Sequence, residues 1–133
     1  MVMAAQGVTD GGAATSSVGL GYEYRLPFYG DLFGVGAMAE LMLAPAVHHM
    51  LMASVSVHPL QELSLQVAAG AGHLHRDTTA AGSSRNSSQA VVRASASYAF
   101  HVGTLMLAPN VNVDVATNPR LAVSAGLMAG LMF

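Results

Sequence analysis

The chain has 133 residues and a net charge of −2; hydrophobic residues make up 53% of it and charged residues only 9%. A soluble domain normally carries about 25% charged residues, so the composition predicts a surface that water does not fully solvate. A membrane-spanning helix needs about 20 consecutive apolar residues, and the sequence has no such run. The chain lacks cysteine and lysine, which excludes disulfides and thiolate metal sites and, with the negative charge, argues against nucleic acid as a partner.

The length predicts a single domain covering residues 1–133. Residues 1–8 have no basic region and no long apolar core, so they do not form a signal peptide. We expect the sequence to be a mature or an engineered form.

The main pattern is an alternation of apolar and small or polar residues with a period of two, which is typical of β-strands. Seven segments show it: residues 17–28, 33–43, 51–57, 63–71, 92–102, 105–115 and 121–133. Residues 1–8 predict a short eighth strand, followed by a glycine-rich loop at residues 9–15. An even number of strands brings both termini to one end of a barrel, so the sequence predicts an all-β, up-and-down antiparallel barrel of eight strands. Pro109 cannot donate a ladder hydrogen bond, so we expect a bulge or a missing bond there.

The predicted connections alternate between tight and long. Tyr29-Gly30 and Val102-Gly103 fit two-residue turns, and residues 59–61 fit a three-residue turn. Residues 76–89 predict a long polar loop. In membrane barrels the tight turns face the periplasm and the longer loops face outward.

All charged residues avoid one face of the predicted strands. Six fall on the other, inward face, and we expect them to form a charge network in the lumen: Glu23, Arg25, Glu40, Glu62, Arg93 and Asp114. The remaining six fall in turns or loops. A charge that faces lipid at the bilayer centre costs about 2–4 kcal/mol, whereas a soluble barrel would carry its charges outside. The charge-free face therefore predicts a transmembrane barrel.

The aromatic residues all fall towards the end with the tight turns. The predicted aromatic girdle consists of Tyr22, Tyr24, Phe28, Tyr29, Phe33, Tyr98, Phe100 and Phe133. Aromatic girdles lie at membrane–water interfaces, so this set indicates the periplasmic end.

The predicted hairpins place large inward residues opposite small ones, which predicts a lumen largely filled by side chains. The predicted pairs are Arg25 with Gly34, Glu23 with Gly36, Met38 with Gly21, Glu40 with Gly19, Met50 with Gly70, Met106 with Ala99 and Gly130, and Met128 with Ala108.

On these features the chain resembles small eight-stranded outer-membrane barrels of the OmpA/OmpX type. The resemblance rests on alternation over nearly the whole chain and on a last strand that ends in an aromatic residue. That strand is similar to the signal read by the bacterial barrel-assembly machinery, and its residues are Val123, Ala125, Leu127, Ala129, Leu131 and Phe133. The resemblance implies a monomer in the bacterial outer membrane whose partners are lipid or detergent and the assembly machinery. The short loops and regular pairing also fit a designed or engineered barrel.

Other chemistry on this scaffold has weaker support. His49 and His73 come close to each other near the outer rim as weak candidate metal ligands, but no carboxylate completes the set, so we expect no metal and no cofactor. Ser54, Ser56 and His58 share an inward face about 7 Å apart, too far for a nucleophile and its base, so we expect no enzyme and no catalytic residues. Inward methionines more often fill gaps than line a conduit.

Three functions follow from the sequence. The first is an integral outer-membrane barrel with a filled lumen and a structural role without catalysis. The second is a narrow pore that conducts ions or small solutes through space left by small inward residues, with the inward charges as its ion path or gate. The third is a soluble ligand-binding barrel, against which the charge placement argues.

Overall fold

The computed structural model describes residues 2–10, 13–43, 47–76, 85–117 and 121–131, and all of its regular elements are strands. They are β1 (Val2–Asp10), β2 (Ala13–Arg25), β3 (Phe33–Met42), β4 (Val47–Val57), β5 (Leu63–Arg76), β6 (Arg85–Tyr98), β7 (Phe100–Val102), β8 (Leu105–Ala116) and β9 (Leu121–Leu131). Within these ranges no helix is long and apolar enough to cross a membrane.

The strands close into a ring. Consecutive strands from β1 to β6 pair antiparallel, β6 pairs with β8, β8 with β9, and β9 with β1. Because β1 occupies the place between β9 and β2, the N-terminal segment is the closing strand. The predicted up-and-down antiparallel barrel of eight strands is thereby confirmed.

Segments β6 and β7 are two parts of one strand, interrupted at Ala99. Ser97 pairs with Asn110 on one side of the interruption and Phe100 with Leu107 on the other. These two pairs belong to the same register, so the strand contains no inserted residue. Pro109 lies between the two pairs and has no N–H to donate. Of the two expected outcomes at Pro109, the structure has the missing bond and not the bulge.

The first predicted hairpin has the register found in the structure, with Arg25 opposite Gly34. β2 ends at Arg25 and β3 begins at Phe33, so the two-residue turn predicted at Tyr29-Gly30 is part of a longer connection over residues 26–32. In it Tyr29, Gly30 and Asp31 have φ of 59°, 67° and 62°.

Two other hairpins were predicted with registers that are wrong by two residues. Met50 lies opposite Gly72 and not Gly70, because the last pair of this hairpin joins Val57 to Leu65 and makes the connection two residues longer than the predicted turn.

Met106 lies opposite His101 and not Ala99. Val102, which was predicted to lie in the turn, pairs with Leu105. The turn therefore consists of Gly103 and Thr104, with Gly103 at φ 65°. Glycine adopts this positive φ without steric cost, which moves the turn one residue beyond the predicted Val102-Gly103.

The strands at the opposite end are longer than predicted. Asp10 pairs with Ala13, so most of the predicted loop at residues 9–15 is strand. Arg76 pairs with Arg85, so the predicted loop at residues 76–89 shortens, and residues 77–84 lie outside the described ones. Ladder hydrogen bonds extend these hairpins although their sequences are polar.

Burial is inverted relative to a soluble barrel. Apolar side chains on the outward face are exposed, such as Leu51 at 67% and Val55 at 60%. Charged and polar side chains lie inside, such as Arg93 at 4% and Asn112 at 2%. The barrel therefore has a polar interior and an apolar exterior.

We expect Gly70→Ala to lower the free energy of unfolding by about 1–3 kcal/mol, the usual cost of overpacking. A Cβ at Gly70 would overlap the backbone carbonyl oxygen of Leu51 and lie 2.6 Å from the Cα of Met52. Urea unfolding in detergent micelles measures the effect. Gly21→Ala is the matched control, since its nearest neighbour would be the Cβ of Met38 at 3.6 Å. Equal stability of the two variants would contradict the close approach at Gly70.

Candidate functional site

The half of the lumen away from the tight turns, which is the half near the long loops, contains an apolar cluster. It is formed by Met50, Met52, Ala68 and Val91, with Met38 and Ala116 packed against it. Met52 is only 1% exposed. Methionine fills irregular gaps well, and here it packs between β3, β4, β5 and β6 in the part of the lumen whose side chains the structure describes.

A buried ion cluster lies beside the apolar residues. Arg93 donates from Nε and Nη2 to both carboxylate oxygens of Asp114, at 2.6 and 2.7 Å, and from Nη1 to Glu40 Oε2 at 2.5 Å. Arg93 and Glu40 are 4% and 7% exposed. One guanidinium thus compensates two carboxylates, Asp114 from the neighbouring β8 and Glu40 from β3, which is not adjacent to β6, and so binds the three strands together across the lumen.

A second polar cluster lies where β4 ends. Ser56 Oγ donates to Glu23 Oε2 at 2.9 Å, and His58 Nε2 lies 2.9 Å from Glu23 Oε1 and 3.2 Å from Ser56 Oγ. The prediction that these side chains lie too far apart for a nucleophile and its base is wrong for Ser56 and His58, because the spacing of about 7 Å applies to backbone positions and the side chains close the distance. His58 follows β4 in the turn, and burial lowers the pKa of its imidazole although the nearby Glu23 carboxylate opposes the shift.

The two remaining inward charges lie near the tight turns. Arg25 approaches Glu23 at 3.9 Å and its side chain is 39% exposed, so the pair is loose. Glu62 is half-buried and lines the lumen. The structure therefore divides the six predicted network residues into a tight trio around Arg93 and a looser group of Glu23, Arg25 and Glu62.

The half of the lumen near the tight turns contains a cavity of about 550 Å³. Carboxylates, guanidiniums, hydroxyls and amides line it together with apolar residues such as Met106 and Met128. The matching of large and small residues predicts a lumen largely filled by side chains. Among the described residues, the packed part lies around Met52 and the cavity lies nearer the tight turns. Inward serines are too short to meet across this end.

Amide side chains in the lumen were not singled out from the sequence. Gln66 Nε2 donates to Ser54 Oγ at 2.9 Å, and Asn112 Nδ2 donates to Ser124 Oγ at 3.2 Å. Asn112 is 2% exposed. The signal was present in the alternation, since each of these residues occupies an inward position of its strand.

The two weak metal candidates lie directly opposite each other on the outward face. His49 pairs with His73 across β4 and β5, both are exposed, and His73 Nδ1 lies 3.2 Å from Ser88 Oγ. Among the described residues, no three His, Cys, Asp or Glu side chains are grouped to hold a metal ion.

The described members of the predicted aromatic girdle are exposed and lie towards the tight turns. They are Tyr22, Tyr24, Phe28, Tyr29, Phe33, Tyr98 and Phe100. Two pairs are in ring contact: Tyr29 with Phe33 at 6.2 Å, and Tyr98 with Phe100 at 5.1 Å.

The last strand presents its odd-numbered residues outward, with Val123, Leu127 and Leu131 about half exposed. Ala125 and Ala129 share this face. Phe133, which belongs both to the predicted girdle and to the predicted assembly signal, lies outside the described residues.

We expect Arg93→Met to destabilise the barrel by about 3–5 kcal/mol, because it leaves Glu40 and Asp114 without the guanidinium that compensates them. Arg25→Met is the control and should cost less than about 1 kcal/mol, since Arg25 is exposed and loosely paired. Urea titration of each variant in micelles gives both values. Similar losses for the two arginines would mean that the trio around Arg93 does not hold the strands.

No family model and no curated protein matches the sequence. Among solved structures, the chain is similar to the crystal structure of the N-terminal β-barrel domain of Pseudomonas aeruginosa OprF. The TM-score is 0.62 and the sequence identity 17%, over 99% of this chain and 96% of that chain. The likeness extends over nearly the whole of both chains and shows that they share the fold of an eight-stranded β-barrel.

Proposed function

We propose that the protein is an integral β-barrel of the bacterial outer membrane with a structural role and no catalytic turnover. The observation that carries the proposal is the inverted burial of its side chains. Wherever side chains are described, the outward faces of the strands hold no charged residue, while Glu40 and Arg93 are buried inside.

Solvation energies favour lipid around this surface. Burying apolar surface contributes roughly 25 cal/mol per Å², and the outward wall exposes valines, leucines and aromatic rings on every side. A monomer in water rarely exposes contiguous apolar patches larger than a few hundred Å². A bilayer solvates such a wall, provided that every backbone polar group is paired. Closure of the ring by β1 supports this condition.

The ends of the barrel support an orientation. We infer that the tight turns lie at the periplasmic side, where the exposed tyrosines and phenylalanines meet the membrane interface. The outward residues of β9 would serve as the signal for the assembly machinery. The barrel would act as a monomer whose surroundings are lipid or detergent.

The geometry around Ser56 supports a role without catalysis. In a serine-histidine-acid triad, the histidine contacts serine through one ring nitrogen and the acid through the other. Here His58 Nε2 faces both Ser56 and Glu23, and Nδ1 is buried without a partner among the described residues. The cluster joins a turn to two strands and does not form a proton relay.

We expect Val55→Arg to abolish insertion into lipid vesicles, because an arginine facing lipid costs about 2–4 kcal/mol. Leu60→Arg is the matched control: Leu60 is 57% exposed and Val55 is 60% exposed, but Leu60 lies in a tight turn. Folding into vesicles is read from the difference in gel mobility between heated and unheated samples. A soluble barrel would tolerate both substitutions equally and would stay in solution without detergent, and either result would refute a membrane location.

A narrow pore is the second candidate, and the cavity of about 550 Å³ near the tight turns favours it. The apolar cluster and the ion cluster argue against a continuous path through the other half. We expect planar bilayer recordings of the purified protein to show no steady conductance. A stable open level would support the pore and contradict the structural role.

A further inference from the structure

The lumen contains an excess of negative charge. Its inward faces carry four carboxylates and two guanidiniums, and the pKa of His58 is lowered by burial, which favours a neutral imidazole. The excess of two negative charges equals the net charge of the whole chain, −2, because the other three aspartates and three arginines balance. Charge taken out of water is costly unless it is compensated, so the lumen favours a cation.

The excess charge lies at two places on the wall of one cavity. At the inner end, Glu40 and Asp114 share the single guanidinium of Arg93. At the end near the turns, Glu23 has Arg25 nearby, while Glu62 adds a carboxylate. Glu40, Arg93, Glu62 and Arg25 all line the cavity. One excess negative charge is therefore at each end.

Two hydrogen-bond acceptors in the cavity wall have no hydrogen-bond donor among the described residues. Glu40 Oε1 and Asn110 Oδ1 are buried and have no hydrogen-bond partner among the described residues. The side chain of Glu40 is 6% exposed, and both residues line the cavity. A buried acceptor without a donor costs about 1–3 kcal/mol. An ammonium group offers three N–H donors together with a positive charge.

We propose that the cavity binds a small linear alkyl diamine in its diammonium form. One ammonium group lies at Glu40, whose Oε1 has no donor among the described residues. The other points along the cavity towards the carboxylates near the turns, and the carbon chain lies against the apolar part of the wall, which includes Met106 and Met128. A directly coordinated metal ion fits less well, because the described residues contain no group of three ligands that would hold one. The opening lies towards the tight turns, where Arg25 is exposed.

This binding site goes beyond a structural role, and it does not depend on the membrane location.

Its test uses the full chain folded in detergent micelles, with folding verified by gel mobility. Putrescine is titrated at constant ionic strength while the backbone amide signals of Ser95 and Ser97, which line the cavity, are followed by NMR. We expect saturable shifts of these signals. Butanediol, which has the same chain length without charge, should cause none.

Two substitutions should change the affinity in opposite directions. Glu62→Gln removes one excess negative charge and should weaken putrescine binding about three- to tenfold, whereas Arg25→Gln adds one and should strengthen binding by a similar factor. Asp31→Asn, a charge-matched change in the exposed turn between β2 and β3, should leave the affinity unchanged. Opposite effects of two lumen variants would not arise from a general loss of structure.

Three results would overturn the proposal. One is the absence of saturable shifts at Ser95 and Ser97. Another is an equal response to butanediol, which would mean that charge is not recognised. The third is evidence that the lumen only collects counter-ions. Such evidence would be either full displacement of putrescine by sodium at equal charge concentration or identical putrescine affinity in the Glu62 and Asp31 variants.

Discussion

The pairing of β1 with β9 is the constraint on which the rest of the structure depends. It closes the ladder, so that each strand has a partner on both sides and the alternation of side chains divides the residues into an inside and an outside. In an open sheet the same alternation would give two faces that are equally accessible to solvent. Closure converts one of them into a lumen, and the small, polar and charged residues of every strand come together there.

Within that lumen, the balance between packing and charge differs along the axis. Near the long loops, methionines and the trio around Arg93 fill the space, and one guanidinium holds carboxylates from two other strands. Near the tight turns several inward residues are serines and glycines, whose small side chains leave space beside Met106 and Met128. The cavity remains at this end, and its wall has more carboxylates than guanidiniums.

The turns decide contacts that alternation cannot predict. The backbone N–H of His58 donates to Leu32 and continues the pairing of β3 with β4. From this position, just after β4, the side chain of His58 reaches Ser56 and Glu23. The connection from β4 to β5 is two residues longer than predicted, and this length brings His49 directly opposite His73.

The sequence by itself determined the existence of the strands, the barrel with its inward and outward residues, the lack of a ladder donor at Pro109 and the inward position of the six charged residues. These properties follow from a period of two and from proline chemistry, both of which are local. Tertiary structure alone decided the registers at two hairpins, the partners of each charge and the division of the lumen into a packed half and a cavity. Such features depend on which residues meet across the barrel, and Arg93 meets Glu40 although 53 positions separate them in the chain.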